Sequence, residues 1–179
     1  MDTHAAAVDQ LVRRTMSALD AWVDIHHLSR WEMCEVLKEL SAIGHIQCCL
    51  EIGCHVGDSL AIWRECLQPS LLIGVQDTEE LTERRAAELD ALCIVGGSQD
   101  PNTYERVFDV LDGHLLDFLY IDGDHTYDAV KEDWRLYSPL VRIGGIAVLH
   151  DAVLQGNDTV DVYRFWPEIA ARYRTKLIH

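Results

Sequence analysis

Two short clusters of ionisable residues, Asp122-Gly123-Asp124-His125 and His150-Asp151, each stand directly after an apolar run. The runs are Phe118-Leu119-Tyr120-Ile121 and Ile146-Ala147-Val148-Leu149. Carboxylates and imidazoles in such clusters can hold a divalent cation or move a proton as an acid and base pair. Neither run shows polar alternation, which is how strands buried on both faces of a parallel sheet read. In open α/β sheets, ligands sit beyond the carboxyl ends of the strands. Two neighbouring strands would aim both clusters into one crevice.

The rest of the chain supplies the frame. Apolar spacing predicts helices over Ala5–His27 and Arg30–Ala42. Alternation begins after them, with strands expected at Gln47–Ile52, Leu71–Val75, Leu92–Val95, Asp117–Ile121 and Ile146–Leu149. Helices are expected at Asp58–Cys66, Glu79–Leu89, Pro101–Leu111, Tyr127–Pro139 and Thr159–Tyr173. Pro101 suits a first helical turn, and Gly144-Gly145 suit a helix-to-strand turn. This order implies an α/β, doubly wound, mostly parallel sheet of Rossmann type with right-handed crossovers. Thr175–His179 reads as one further strand beginning, so the C-terminal strand region is short. The domain boundaries expected are 1–45 for an N-terminal helical extension and 46–179 for a ligand-binding domain.

Leu50-Glu51-Ile52-Gly53-Cys54-His55-Val56-Gly57-Asp58-Ser59 joins the first of these strands to its helix through a glycine turn. Glycines allow close backbone approach, and Asp58 or Ser59 could cap the helix. The turn is ExGxxxGxS, matching neither the dinucleotide GxGxxG nor the P-loop GxxxxGK[ST]. An acid immediately before it disfavours a pyrophosphate and favours a cationic ligand.

With ExGxxxGxS after the first strand, Gly96-Gly97-Ser98 after the third and IDGDHTYDAVKEDWRLYSPLVRIGGIAVLHD through the fourth and fifth, the chain resembles class I S-adenosylmethionine-dependent methyltransferases. More narrowly it is similar to the family 24 methyltransferase domain, whose VxRFWxEI helix is matched by Val162–Ile169. That group includes metal-dependent sugar O-methyltransferases and proteins similar to cephalosporin hydroxylase. The resemblance implies that Glu51, Gly53, Cys54, His55, Gly57 and Ser59 hold the methionine part of S-adenosylmethionine. It places the ribose contact at Gln76, where relatives carry an acid, with Asp77 one step later, and adenine near Ser98 and Gln99. It also implies Asp122, His150 and Asp151 as ligands of Mg²⁺ or Mn²⁺, with Asp122 serving catalysis and the cofactor site too and His125 as the general base. His150 stands where those relatives carry a carboxylate, and imidazole suits a hard cation poorly.

The same residues have ordinary uses. Asp122 and Asp151 can hold turns or cap helices, and His125 and His150 can be satisfied loop and strand-end residues. Trp134, Tyr137 and Trp166 have spacings that suit core packing. Two other functions stay open on these residues: a cofactor-binding relative without transferase activity, and a metal-dependent hydrolase built on Asp122, His125, His150 and Asp151.

At 179 residues the chain is long enough for one full core. Fifteen basic against 30 acidic residues give a net charge of −15, which argues against nucleic-acid or anionic-membrane partners. A small hydroxylated acceptor is the partner that the resemblance implies. No run approaches the ~20 apolar residues of a membrane span. The six cysteines form no CxxC pair, the usage expected of a reduced, cytoplasmic protein. An open sheet edge after the short C-terminal region would favour a homodimer.

Overall fold

The computed structural model describes residues 30–78, 81, 83–154 and 160–178. In chain order the elements are α1 (Arg30–Ala42), β1 (Cys48–Ile52), α2 (Asp58–Leu67), β2 (Leu71–Gln76), α3 (Glu83–Glu88) and β3 (Leu92–Val95). The second half comprises α4 (Pro101–Leu111), β4 (Leu116–Ile121), α5 (Tyr127–Tyr137), a 3₁₀ turn (Ser138–Leu140), β5 (Val141–Leu149) and α6 (Val162–Ala170). The expected helix over Ala5–His27 lies outside the described residues.

The five strands among the described residues are all parallel, in the order β3-β2-β1-β4-β5. The winding reverses between β1 and β4, which opens a crevice at their carboxyl ends. Every residue of β1 and β4 is buried, Glu51 and Asp117 included, as in central strands covered on both faces. Side chains alternate between the two faces. Cys49, Phe118 and Tyr120 pack with Met33, Leu37 and Leu40 of α1 and with Leu60 and Trp63 of α2. Leu50, Ile52, Leu119 and Ile121 face Val107 and Leu111 of α4, Val130 and Tyr137 of α5, and Phe165 and Ile169 of α6. Trp63 is fully buried and lies 4.9 Å, edge to face, from Phe118. Burying side chains of this size stabilises by about 1.5–3 kcal/mol each.

Three expectations need correction. β5 begins at Val141 rather than Ile146, so Gly144-Gly145 lie within the strand and not in a turn before it. The pairing with β4 shifts register between Leu116 and Phe118, and Gly144 has a φ of +82°. A Cβ on Gly145 would sit 3.0 Å from the Asp117 carbonyl oxygen, so this bulge needs a residue without a side chain. Residues 174–178 form no strand. Lys176 instead pairs with Glu35 and Glu39 of α1 at 3.1 and 2.8 Å, and Ile178 packs on the core. The last helix spans only Val162–Ala170 of the expected Thr159–Tyr173.

Candidate active site

Asp122 comes directly after β4 and His150 directly after β5, and the last residues of those strands, Ile121 and Leu149, are paired. The His150 amide donates to the Ile121 carbonyl at 3.0 Å, and the Asp122 amide to that of Ile52 at 2.8 Å. Three strand ends are thus stitched together beneath the cluster. Asp122 Oδ1 is 2.8 Å from His150 Nδ1, and Asp151 Oδ2 is 2.9 Å from His125 Nδ1. The pairs also cross: His125 Nε2 lies 3.8 Å from Asp122 Oδ1, and His150 Nδ1 lies 3.7 Å from Asp151 Oδ2.

Local structure fixes each member. Asp124 accepts from the Thr126 amide at 2.8 Å, and the Thr126 hydroxyl caps α5, so His125 is held in a tight turn. The carbonyl of His125 also accepts from the Asp161 amide before α6, at 2.8 Å. Asp151 has a φ of +55°, a left-handed conformation rare outside glycine that costs on the order of 1–3 kcal/mol. That turn brings its carboxylate back onto His125. Burial works to lower the pKa of His150, but the hydrogen bond and charge of Asp122, with Asp151 and Glu32 behind, carry it above the ordinary value. Ligand atoms of Asp122, His125 and His150 lie within 4.8 Å of one another.

A cleft of about 430 Å³ opens beside the cluster, between the ends of β1, β2, β3 and β4. Its walls gather Gly53, His55, Gln76, Asp77, Ser98, Gln99 and Asp122 from the sequence-predicted set, together with Gly123 and Asp124. Gly53 has a φ of +84°, and a Cβ there would fall 2.1 Å from the Asp122 carbonyl oxygen. This glycine lets the β1 turn press directly against the Asp122 backbone. Gln76 is buried, its amide nitrogen donating to the Thr78 carbonyl at 2.7 Å, while Asp77 is exposed at the mouth.

Glu51, Cys54, Gly57 and Ser59 lie beneath the turn rather than on the cleft wall. The carboxylate of Glu51 is fully buried, accepting from the Ser59 hydroxyl and, at 2.9 Å, from Trp63 Nε1. Burial, reinforced by the charge of Asp122, pushes the Glu51 pKa up to about 8 against the pull of Ser59, Trp63 and His150. At neutral pH it therefore holds its proton for most of the time. Gly57 caps α2 with a φ of +86°, where a Cβ would meet Leu81 Cδ1 at 2.7 Å.

On the other side of the cluster a hollow of about 1510 Å³ wraps the edge strand β5, reaching α1 on one face of the sheet, Trp134 and Ile169 on the other, and residues 173–178. It reaches Tyr120, His150 and Asp151, with Met33, Val36, Trp166 and Ile169 among its apolar walls. His150 and Asp151 thus border this cavity while Asp122 borders the cleft.

Two residues of the site's surroundings were not singled out from sequence as functional. Asp133 and Tyr137 of α5 both hold the loop after β3, through the Ser98 hydroxyl at 2.7 Å and the Ser98 carbonyl at 2.6 Å. The available signal was an aspartate on the buried stripe of an amphipathic helix, between Val130 and Tyr137.

Known proteins are similar to this chain in sequence and fold. A rhamnosyl O-methyltransferase of Mycobacterium tuberculosis is 26% identical over 153 residues, covering 81% of this chain and 59% of its own. The chain thus spans rather more than half the length of that curated relative. Among solved structures, the O-methyltransferase TomG of Streptomyces achromogenes, in complex with SAM, superposes with a TM-score of 0.58 at 20% identity. That likeness covers 91% of this chain and 78% of TomG. MycE of the mycinamycin pathway, in complex with Mg and SAH, gives 0.57 at 19% identity over 80% of this chain and 38% of its own. Both likenesses show the class I methyltransferase fold. The sequence profile described as a methyltransferase domain matches residues 50–152, more than half of the chain, which therefore belongs to that family.

Proposed function

We propose that this chain transfers a methyl group from S-adenosylmethionine to a hydroxyl of a small molecule such as a sugar, with His125 as the general base. The observation that carries this reading is the position of the cluster, which borders the cleft through Asp122 and the larger cavity through His150 and Asp151. A methyl donor seated in the cleft and an acceptor seated along β5 would meet at these side chains. Attack on the sulfonium methyl needs an acceptor aligned behind it, and fixed orientation contributes roughly 7–11 kcal/mol.

A sugar hydroxyl is a poor acid, so its proton must leave as the bond forms. His125 Nδ1 lies 2.9 Å from Asp151 Oδ2, and a proton held between them would leave the Nε2 lone pair free. That lone pair accepts the hydroxyl proton. The ligand atoms that cluster are those of Asp122, His125 and His150, while Asp151 lies against both imidazoles. A divalent cation held by Asp122 and His150, with Asp151 beside them, would leave His125 as the base, and the imidazole would favour Mn²⁺ or a similar ion over Mg²⁺. When bound, such an ion orients the hydroxyl and stabilises its developing negative charge. The likeness to MycE, which was solved with Mg, supports the metal.

The test is calorimetric titration of S-adenosylmethionine with chelator, Mg²⁺ or Mn²⁺, and then S-adenosylhomocysteine release over a panel of glycosides. Micromolar binding and turnover that chelator abolishes and Mn²⁺ restores are expected. Turnover that is indifferent to chelator would remove the metal, and absence of binding would remove the transferase. We also propose that two copies associate through β5, which lies at the edge of the sheet with Ile143 fully exposed.

A further inference from the structure

Asp133 is fully buried, yet its Oδ2 has no hydrogen-bond partner among the described residues. Its Oδ1 does all the bonding. It accepts from the Ser98 hydroxyl at 2.7 Å and from Gln99 Nε2 at 3.4 Å, and that same amide nitrogen also donates to the Ala129 carbonyl at 3.3 Å. A buried carboxylate oxygen left unpaired is costly, because its lost hydration is not replaced. Anchoring of the loop does not account for this cost, because Tyr137 already holds the Ser98 carbonyl.

The consequence lies in donor and acceptor polarity. Both neighbours of the Gln99 amide nitrogen, a carboxylate and a carbonyl, can only accept, so the nitrogen is committed to α5 and Oε1 is turned to the other side. The Ser98 hydroxyl hydrogen is likewise committed to Asp133, leaving its oxygen lone pairs for a ligand. Both side chains line the cleft. Burial raises the pKa of Asp133 against the pull of Ser98 and Gln99. A proton taken up there sits on the unpaired Oδ2 and leaves the acceptor role of Oδ1 intact.

We infer that Asp133 is a positioning residue that sets this wall of the cleft as acceptor-only, so that it selects a purine bearing an exocyclic amine over one bearing a carbonyl at that position. The inference rests on the reading of the cleft as the S-adenosylmethionine site. An adenine amine donates to Ser98 Oγ and Gln99 Oε1, whereas the 6-oxygen of hypoxanthine meets two acceptors.

The test titrates S-adenosylhomocysteine and S-inosylhomocysteine into the full chain and into Asp133→Asn. The wild type is expected to prefer the adenine form by about 10–100-fold, the value of one or two mispaired hydrogen bonds. Asp133→Asn can turn its amide nitrogen to the Ser98 oxygen and free the hydroxyl hydrogen, so the preference is expected to fall by about 10-fold. Asp133→Glu, which keeps the acceptor, is expected to restore part of it. A merely structural residue would weaken both ligands equally. Ser98→Ala, at a half-buried loop position, checks the same point if Asp133→Asn does not fold, and is expected to narrow the preference with the fold intact. An unchanged ratio in the variant that folds, or no preference in the wild type, overturns the inference and leaves the cofactor reading standing. No binding of either ligand overturns both.

Discussion

The two halves of the sheet treat their carboxylates in opposite ways. On the β1–β3 side Glu51 is sealed in, both oxygens occupied by Ser59 and Trp63, and its proton is retained to a pH of about 8. On the β4–β5 side Asp122 and Asp151 keep 17% and 15% of their side-chain surface and share two imidazoles through pairs of 2.8 and 2.9 Å. The first half is shaped by sterics and burial, with glycines at positions where a Cβ would clash. The second is shaped by exchangeable ion pairs at the ends of a central and an edge strand. The difference teaches where each kind of damage should show: as lost folding on the first side, and as lost turnover in a folded protein on the second.

Gly53→Ala presses hardest on the seam between the halves. A methyl group 2.1 Å from the Asp122 carbonyl, on a backbone at φ +84°, forces β1 and β4 apart. We expect a loss of about 3 kcal/mol or more, read by urea denaturation. Wild-type stability in this variant would mean that the turn is looser than the packing implies. His125→Ala should act in the opposite manner. The ring is 36% exposed, so the melting temperature should hold while turnover falls ~10²-fold or more. Cofactor affinity should be retained, and full turnover would remove His125 from the chemistry.

Glu51→Gln sharpens the contrast through pH. The folded state raises the Glu51 pKa from 4.5 to about 8, so the native protein holds a proton that the unfolded chain has released across that window. The stability tied to this proton is fully present below about pH 4.5 and is lost as pH rises toward 8, at up to about 1.4 kcal/mol per pH unit. Glutamine can donate to Ser59 and accept from Trp63, keeping the geometry without the titration. Chemical denaturation from pH 5 to 8 should show a shallower decline in the variant; parallel slopes would mean that Glu51 is ionised in the fold.

Legibility in the sequence obeys the same division. Asp122 and His125 could be read because β4, buried on both faces, announces itself as an apolar run, and residues just past the carboxyl end of such a strand face the crevice. The same reading of Ile146–Leu149 overstates burial, since β5 is a half-exposed edge strand, but His150 and Asp151 still follow its carboxyl end. Glu51 was harder. Its position at a strand end suggests a ligand contact, but alternation puts it on the face of Cys49, beneath Trp63, and only the packed helix reveals that. Asp133 is not legible in the sequence, because a single acid in an amphipathic helix looks solvated until the helix is rotated onto the sheet. Gly144-Gly145 read as punctuation because glycine pairs break elements, whereas here the positive φ of Gly144 and the close approach of Asp117 to Gly145 suit them to a place inside a strand. Residues 174–178 carry strand-like side chains, but Lys176 finds two glutamates on α1 and the segment needs no ladder.

The smallest effect is expected at the edge, and it decides whether the β4–β5 half is finished by a second copy. Ile143 is fully exposed in a strand that, among the described residues, has a neighbour on one side only. An unpaired edge carrying an apolar side chain invites another strand, and a lysine there is the usual means of refusing one. Ile143→Lys touches no core residue, so its melting temperature as a monomer should stay within about 2 °C of the wild type. If the copies pair through β5, light scattering at tens of micromolar should show a dimer for the wild type and a monomer for the variant. The cavity along β5 would then be walled in part by the partner, and turnover of a bulky acceptor should fall with the dimer while cofactor binding in the cleft is unmoved. A monomeric wild type would leave that cavity open to solvent along its length and would make the acceptor site the property of one chain alone.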